Sequence, residues 1–389
     1  MSMGKLNTQI LAMAPDRSQS VIAKAKAKKN DSAYINLSIG EPDFATPKQI
    51  VDEMYKWASQ GYTHYTEGLG LPELRARIAQ KLKEENNCSY SADQIVVCPG
   101  AKFAVYAAIR ALVNPGDEVM FLTPVWLSYS TIIQISNGIP VPVHLNYEDD
   151  YTVTLEILEA KVSDKTRCLM VNNPNNPTGK VLTEPEYEAI KTFLLRHPDI
   201  YLLSDEIYER IVYDGCNVRS LAADPDLANR VIVINGFSKA FAMTGWRLGY
   251  MAAPAEVVEL VRRLYDSTMT CVSCFLQKGA LYALDCQAET EKMRQVFEQR
   301  RDLFVAGLNS IPGVECKKPE GAFYAWVRIT KEGIKDSVDL EEFVLDKAHI
   351  IAMPGIAYGE DAFPCVRFSY AAATEDLKEA IERLRKAME

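Results

Sequence analysis

Ser238-Lys239-Ala240-Phe241-Ala242-Met243-Thr244-Gly245-Trp246-Arg247-Leu248-Gly249 is the stretch on which the reading of this chain turns. The run Val231-Ile232-Val233-Ile234-Asn235 ahead of it has the composition of a buried strand, so Lys239 falls just past a strand's C-terminal end. A lysine desolvated there has a lowered pKa, and its neutral amine becomes a nucleophile toward carbonyls. Eight residues on, Arg247 supplies a planar fork matched to a phosphate. One short segment therefore offers capture of an aldehyde and of a phosphate. A solvated loop lysine and a surface arginine would explain these two residues by themselves, so the decision rests on what accompanies them.

Four further segments do so. In Leu202-Leu203-Ser204-Asp205-Glu206-Ile207-Tyr208, the apolar run from Ile200 to Leu203 reads as a short buried strand with Asp205 just beyond it. Val171-Asn172-Asn173-Pro174-Asn175-Asn176-Pro177-Thr178-Gly179 is turn chemistry directly after the apolar run from Cys168. In an open α/β sheet, ligands gather at such C-terminal strand edges. Pro364-Cys365-Val366-Arg367-Phe368-Ser369-Tyr370 sets a lone arginine in an alternating run, where a structural salt bridge is the competing explanation. Leu37-Ser38-Ile39-Gly40-Glu41-Pro42-Asp43-Phe44 carries Gly40, whose missing Cβ allows a close backbone approach. In addition, Ile95-Val96-Val97-Cys98 reads as a strand, Pro99-Gly100 as a break, and Ala101 to Leu112 as a helix whose N-terminus suits an anion.

Taken together, these segments resemble the class I aminotransferases of the pyridoxal-phosphate (PLP) fold type I family, and within it the bacterial-type aspartate aminotransferase subgroup. The resemblance runs from Gly40 to Arg367 with the motifs in the family's order. It implies an α/β fold: a large domain with a mostly parallel sheet, and a smaller α+β domain. It implies that Lys239 binds PLP as a Schiff base and serves as the acid–base group, and that Arg247 holds the cofactor phosphate with the amides of Ala101 and Lys102. Asp205 is then the carboxylate against the pyridinium nitrogen, where a pair at ~3 Å and an effective dielectric of ~20 is worth roughly 5 kcal/mol. Tyr208 and Asn176 donate to the ring's phenolic oxygen. Trp126, in Thr123-Pro124-Val125-Trp126, covers the pyridine ring. Arg367 clamps the substrate α-carboxylate, with Gly40, Asn176 and Trp126 also facing the substrate. Tyr65 crosses a dimer interface to the partner's phosphate, so a homodimer with shared sites is expected. Cis peptide bonds are expected at Thr123–Pro124 and Asn176–Pro177.

The chain also departs from the family. Asn235-Gly236-Phe237-Ser238-Lys239 has glycine where relatives carry the first serine of Ser-x-Ser-Lys, which leaves Ser238 open as a replacement phosphate ligand. Val125 stands where relatives often have an aromatic residue.

Length and composition agree with a two-domain enzyme. The chain has 389 residues, 48% hydrophobic and 24% charged, enough for a large buried core. Strand-like runs alternate with amphipathic helices from about Ile95 to Tyr250, the pattern of a helix-covered parallel sheet. Leu155 to Val162, Glu184 to Leu195 and Ala255 to Asp266 carry helical spacing, Glu118 to Leu122 reads as a strand, and Gly321 to Trp326 as another. Composition shifts near 285, so the expected division is a large PLP-binding domain over 46–284, with 1–45 and 285–389 forming an N-terminal arm and the small domain. A net charge of −9 argues against nucleic acid as a partner, and no apolar run reaches membrane-spanning length. Ile10 to Ala14 is too short for a signal-peptide core, although Ala12-Met13-Ala14 looks like a cleavage site. Nine scattered cysteines fit a reducing, cytoplasmic setting. Cys271-Val272-Ser273-Cys274 lacks a second pair, and His64, His144, His197 and His349 form no ligand motif, so no metal is expected.

The substrates implied are amino acids and 2-oxo acids. Lys102 matches a lysine that the aspartate subgroup sets against a distal carboxylate, which points to aspartate and 2-oxoglutarate; its other reading is a phosphate-cradle residue facing solvent. Aromatic, alanine and prephenate-type transamination share every other motif, and a PLP-dependent carbon–sulfur β-lyase shares the fold. No G-x-G-x-x-G follows a strand, which disfavours a nicotinamide dehydrogenase, and no helix-turn-helix precedes Gly40.

Overall fold

The computed structural model describes Leu6, Asn7, Ile10, Val21 and residues 33–126 and 128–389; the Ala12-Met13-Ala14 motif lies outside these residues. A seven-stranded sheet forms the centre, in the order β2-β8-β7-β6-β5-β3-β4. Its strands are β2 (Ile95–Cys98), β3 (Glu118–Thr123), β4 (Ile139–His144), β5 (Thr166–Asn172), β6 (Tyr201–Asp205), β7 (Val231–Gly236) and β8 (Gly249–Ala252). All neighbours pair in parallel except β8, which is antiparallel to both β2 and β7.

Why these runs become strands is visible in where successive side chains go. Ile95 and Val97 enter one hydrophobic cluster, while Val96 and Cys98 enter the other. The same alternation separates Val231 and Val233 from Ile232 and Ile234. Both faces of the sheet are thus covered, and a strand buried on both faces reads as an unbroken apolar run. The strand β4, Ile-Pro-Val-Pro-Val-His, is tolerated because it lies at the sheet's edge, where a proline without an N–H leaves few ladder bonds unmade.

A second, antiparallel sheet has the order β12-β13-β10-β9, made of β9 (Val314–Cys316), β10 (Tyr324–Ile329), β12 (Met353–Pro354) and β13 (Cys365–Ser369). The short β1 (Ile35–Asn36) pairs in parallel with β11 (Ile350–Ile351). Helices Gln287–Asn309 and Thr374–Met388 cover this part with Phe297, Phe304, Leu377 and Leu384. They approach closely at Gly307, where a Cβ would meet Ile381 at 2.3 Å.

Three sequence expectations need correction. The strand read from Gly321 to Trp326 begins at Tyr324, because Glu320 and Gly321 donate their amides to the Gly179 carbonyl and Ala322 takes a φ of 57°. The helix read over Leu155–Val162 stops at Glu159, before a turn leading into β5. Thr123–Pro124 is cis as expected, but Asn176–Pro177 is not; the other cis bonds among the described residues are Asn173–Pro174 and Phe363–Pro364. The chain turns one Asn-Pro unit earlier than expected, with the Asn173 amide on the Asp205 carbonyl at 3.0 Å and the Asn176 amide on Asn172 Oδ1 at 2.8 Å.

Candidate active site

The order of the parallel strands reverses at β3: one crossover leads outward to β4, the next inward to β5. Ligands bind at the C-terminal ends of strands at such a switch point. A cavity of about 530 Å³ lies there, and its walls include Gly40, Ala101, Lys102, Trp126, Asn176, Asp205, Tyr208, Ser238, Lys239, Arg247 and Arg367. Residues from seven segments of sequence therefore converge on one space. Tyr65 alone among the sequence-chosen residues is absent from it, standing 86% exposed on this chain's surface.

Lys239 follows β7 by three residues, and its Nζ donates to the Gly40 carbonyl. Burial, followed by the Arg367 guanidinium, brings its pKa down to about 8, while Glu41 and Asp205 oppose that fall. About a tenth of this amine is then neutral at pH 7, far more than of an ordinary lysine, which makes it a competent nucleophile and proton acceptor.

Asp205 ends β6 and is 5% exposed. Tyr129 donates its hydroxyl to Asp205 Oδ2, and the Ile207 amide donates to Oδ1 at 3.2 Å. Burial raises this carboxyl to about 6, and the Tyr129 bond is the main influence holding it down. A carboxylate so desolvated gains most from a cationic partner.

The phosphate end is shaped by glycine. Helix Ala101–Leu112 starts from Gly100 without a side-chain cap, leaving its first-turn amides at the positive end of the dipole. A Cβ on Gly100 would stand 2.4 Å from Arg247 Nη2, so the missing side chain seats the guanidinium against the helix start. Gly249 likewise leaves room for the Ala101 amide, which a Cβ would approach to 2.7 Å. Gly236 pairs directly with Gly249 across β7 and β8, and a Cβ there would meet the Gly249 Cα at 2.8 Å. That contact explains the departure from Ser-x-Ser-Lys: a serine at 236 has no space against this partner. Ser238 is buried and lines the cavity. Val125 is buried in the core, its amide on the Tyr358 carbonyl at 3.0 Å.

Arg367, in the middle of β13, donates to Asn176 Oδ1 at 3.1 Å and to the Ser38 carbonyl at 2.7 Å. Its Nε is buried and has no protein partner among the described residues. It is not a structural salt bridge: no carboxylate pairs with it among the described residues. At the rim, Lys102 Nζ sits 4.5 Å from the Trp126 ring centroid, and the ring meets Tyr129 edge-on at 5.6 Å.

This donor set fits pyridoxal phosphate. An anion-seating helix start beside an arginine, a buried carboxylate without a cation in contact, a depressed lysine and an orphaned arginine N–H answer its phosphate, its ring nitrogen, its aldehyde and the carboxylate of an amino acid. Sequence reading missed Tyr129, Tyr324, Ser38 and Asn172. Tyr129 lies in the first turn of the helix Ser128–Ile135, three positions after Trp126, whose ring it meets edge-on. In sequence Tyr324 falls inside a strand-like run that gives it no separate signal.

The remaining cysteines and histidines do not assemble. Cys274 donates its thiol to the Tyr62 carbonyl at 2.8 Å, and no group of three metal-ligating side chains occurs among the described residues.

Comparison with known proteins agrees in one direction. The family described as aminotransferase class I and II matches residues 32–384. The chain is 39% identical to an aspartate aminotransferase of Musicola paradisiaca, over 95% of this chain and 92% of the relative. It is 38% identical to a protein of Aquifex aeolicus named probable aspartate/prephenate aminotransferase, over 99% and 98%. A crystal structure of the Rhizobium meliloti aspartate aminotransferase superposes with a TM-score of 0.94 at 36% identity, covering 99% of both chains.

Proposed function

Because this chain belongs to the class I and II aminotransferases, we propose that its cavity binds pyridoxal 5′-phosphate and transfers an amino group from aspartate to 2-oxoglutarate. The cofactor supplies an aldehyde that takes up the amino group and a pyridine ring that accepts the Cα electron pair. The chain supplies everything else. Arg247, Ser238 and the amides of Ala101 and Lys102 hold the phosphate. Asp205 keeps a proton on the ring nitrogen, and Tyr208 and Asn176 donate to the phenolic oxygen. Trp126 covers the ring. Arg367 takes the amino acid's α-carboxylate beside Gly40, which fixes the Cα–H bond in reach of Lys239. Lys239 Nζ would then accept the Cα proton and pass it to the carbon that was the cofactor's aldehyde, the shift that leaves the amino group behind. The observation that carries this reading is the convergence of Lys239, Asp205, Arg247 and Arg367 on one cavity.

Aspartate is favoured by Lys102 at the cavity rim, a cation placed for a second carboxylate. A prephenate-type acceptor is the second reading, supported by the name of the Aquifex relative. Aspartate turnover that depends on 2-oxoglutarate tests the proposal. Pyruvate release from cystathionine without a 2-oxo acid would replace it with a carbon–sulfur lyase.

The same reading extends to assembly and setting. The large PLP-binding domain spans 46–284, and 1–45 with 285–389 form the arm and small domain, supported by the pairing of β1 with β11. An exposed Tyr65 supports a homodimer in which it reaches the partner's phosphate. Nine free cysteines support a cytoplasmic location. No helix among the described residues is long and apolar enough to cross a membrane.

A further inference from the structure

We propose that Tyr324 is a positioning residue that couples the substrate arginine to the phenolic-oxygen end of the cofactor site: its hydroxyl donates to Tyr208, while its ring face seats Arg367. The proposal rests on the reading of Tyr208 and Arg367 given above.

Tyr324 opens β10 and is 1% exposed. It pairs with Ser369 on β13, while Arg367 pairs with Trp326, so Tyr324 and Arg367 are diagonal neighbours across two strands. The Arg367 Cζ stands 4.2 Å from the Tyr324 ring centroid. The Tyr324 hydroxyl lies 2.8 Å from that of Tyr208, and the two rings meet edge-on. The room for this contact comes from Gly40: a Cβ there would stand 2.8 Å from the Tyr324 hydroxyl oxygen.

Only one proton can lie between two hydroxyl oxygens, so the direction of the bond matters. If Tyr324 donates, the Tyr208 proton is left for an acceptor in the cavity. If Tyr208 donates, that proton is spent on Tyr324. A cation over a phenol's ring face withdraws electron density and makes its hydroxyl the better donor. Arg367 is closest to Tyr324 in this way. Burial raises both phenols, Tyr208 further than Tyr324, and Arg367 is the leading influence opposing the rise at Tyr324. Hydrogen bonds in a chain polarise one another, so the Tyr324 bond strengthens the one Tyr208 donates onward.

The test is the spectroscopic pKa of the holoenzyme, read from the cofactor's absorbance between pH 5 and 10. Tyr324→Phe keeps the ring and removes the hydroxyl. The basic form of the cofactor then loses stabilisation, and the pKa rises by roughly half a unit to one unit. The amino-acid KM stays within about twofold, because the Arg367 contact survives. Tyr324→Leu removes the ring as well, and KM rises roughly 3- to 10-fold for every amino acid. In a Tyr208→Phe background the Tyr324→Phe change moves the pKa no further. A fall in pKa for Tyr324→Phe would mean that Tyr208 donates to Tyr324 and would overturn the proposal. So would an unchanged pKa in Tyr324→Phe alongside a raised one in Tyr208→Phe, or additive shifts in the double variant. A Tyr208→Phe enzyme with an unshifted pKa would instead remove the reading of Tyr208 itself, and the coupling with it.

Discussion

The floor and the rim of the cavity are built differently. On the floor all four key residues are buried: Asp205 ends β6, Arg367 lies within β13, and Tyr208 and Asn176 sit in the turns that follow β6 and β5; each is held by at least one side-chain or backbone partner. At the rim, Lys102 and Ile39 are exposed, Ile39 by 47%. In the proposed function the floor handles what all amino acids share: the α-amino group, the α-carboxylate and the Cα proton. The rim would then meet the part that differs. Fixed geometry in the first place and accessible charge in the second is the division expected of an enzyme whose chemistry is constant and whose substrate is selected.

Changes to the floor should therefore damage every substrate equally. Asp205→Asn would remove the proposed counter-charge of the ring nitrogen while keeping shape, and turnover of aspartate and of alanine should both fall by roughly 10³-fold. Near-normal stopped-flow rates in that variant would erase the distinction between floor and rim.

A change at the rim should discriminate. In Lys102→Ala, kcat/KM for aspartate and glutamate should fall roughly 10- to 100-fold, as a charge-assisted pair contributes about 1.5–3 kcal/mol, while alanine is nearly unaffected. Arg367→Lys is the contrast, weakening every amino acid. Equal losses for aspartate and alanine in Lys102→Ala would move Lys102 from the rim's selectivity to the phosphate cradle.

The smallest effect is one of pH. Capture of added pyridoxal phosphate by the apoprotein needs a neutral Lys239 amine. Burial lowers that pKa to about 8, so the capture rate should climb up to about tenfold per pH unit below 8 and level off above it. A rise that continues past pH 10, the range of an ordinary lysine, would mean that Lys239 is not desolvated.

The same contrast governs what could be read from sequence. Runs buried on both faces, such as Ile95–Cys98 and the first four residues of β7, Val231 to Ile234, announce themselves because every position is apolar. The residues just beyond such runs, Asp205 and Lys239, inherit their place from them. Two-residue strands such as β1 and β11 carry too few positions for a period, and the two prolines of β4 argue against a strand until its edge position is known. The partners of the floor were illegible for another reason. Tyr129 lies 76 residues from Asp205, and Tyr324 lies 116 from Tyr208, so only the folded sheet brings them together. Gly236 looked like a lost phosphate ligand, and it is the fold's answer to Gly249 across the ladder.

Borohydride reduction of the holoenzyme, followed by peptide mapping, tests the central claim most directly. The pyridoxyl label should appear on the peptide containing Lys239 and be absent from Lys239→Ala, which should still retain pyridoxal phosphate through the phosphate cradle. A label on Lys102 or any other lysine in the wild type would contradict the assignment of the floor and the function built on it.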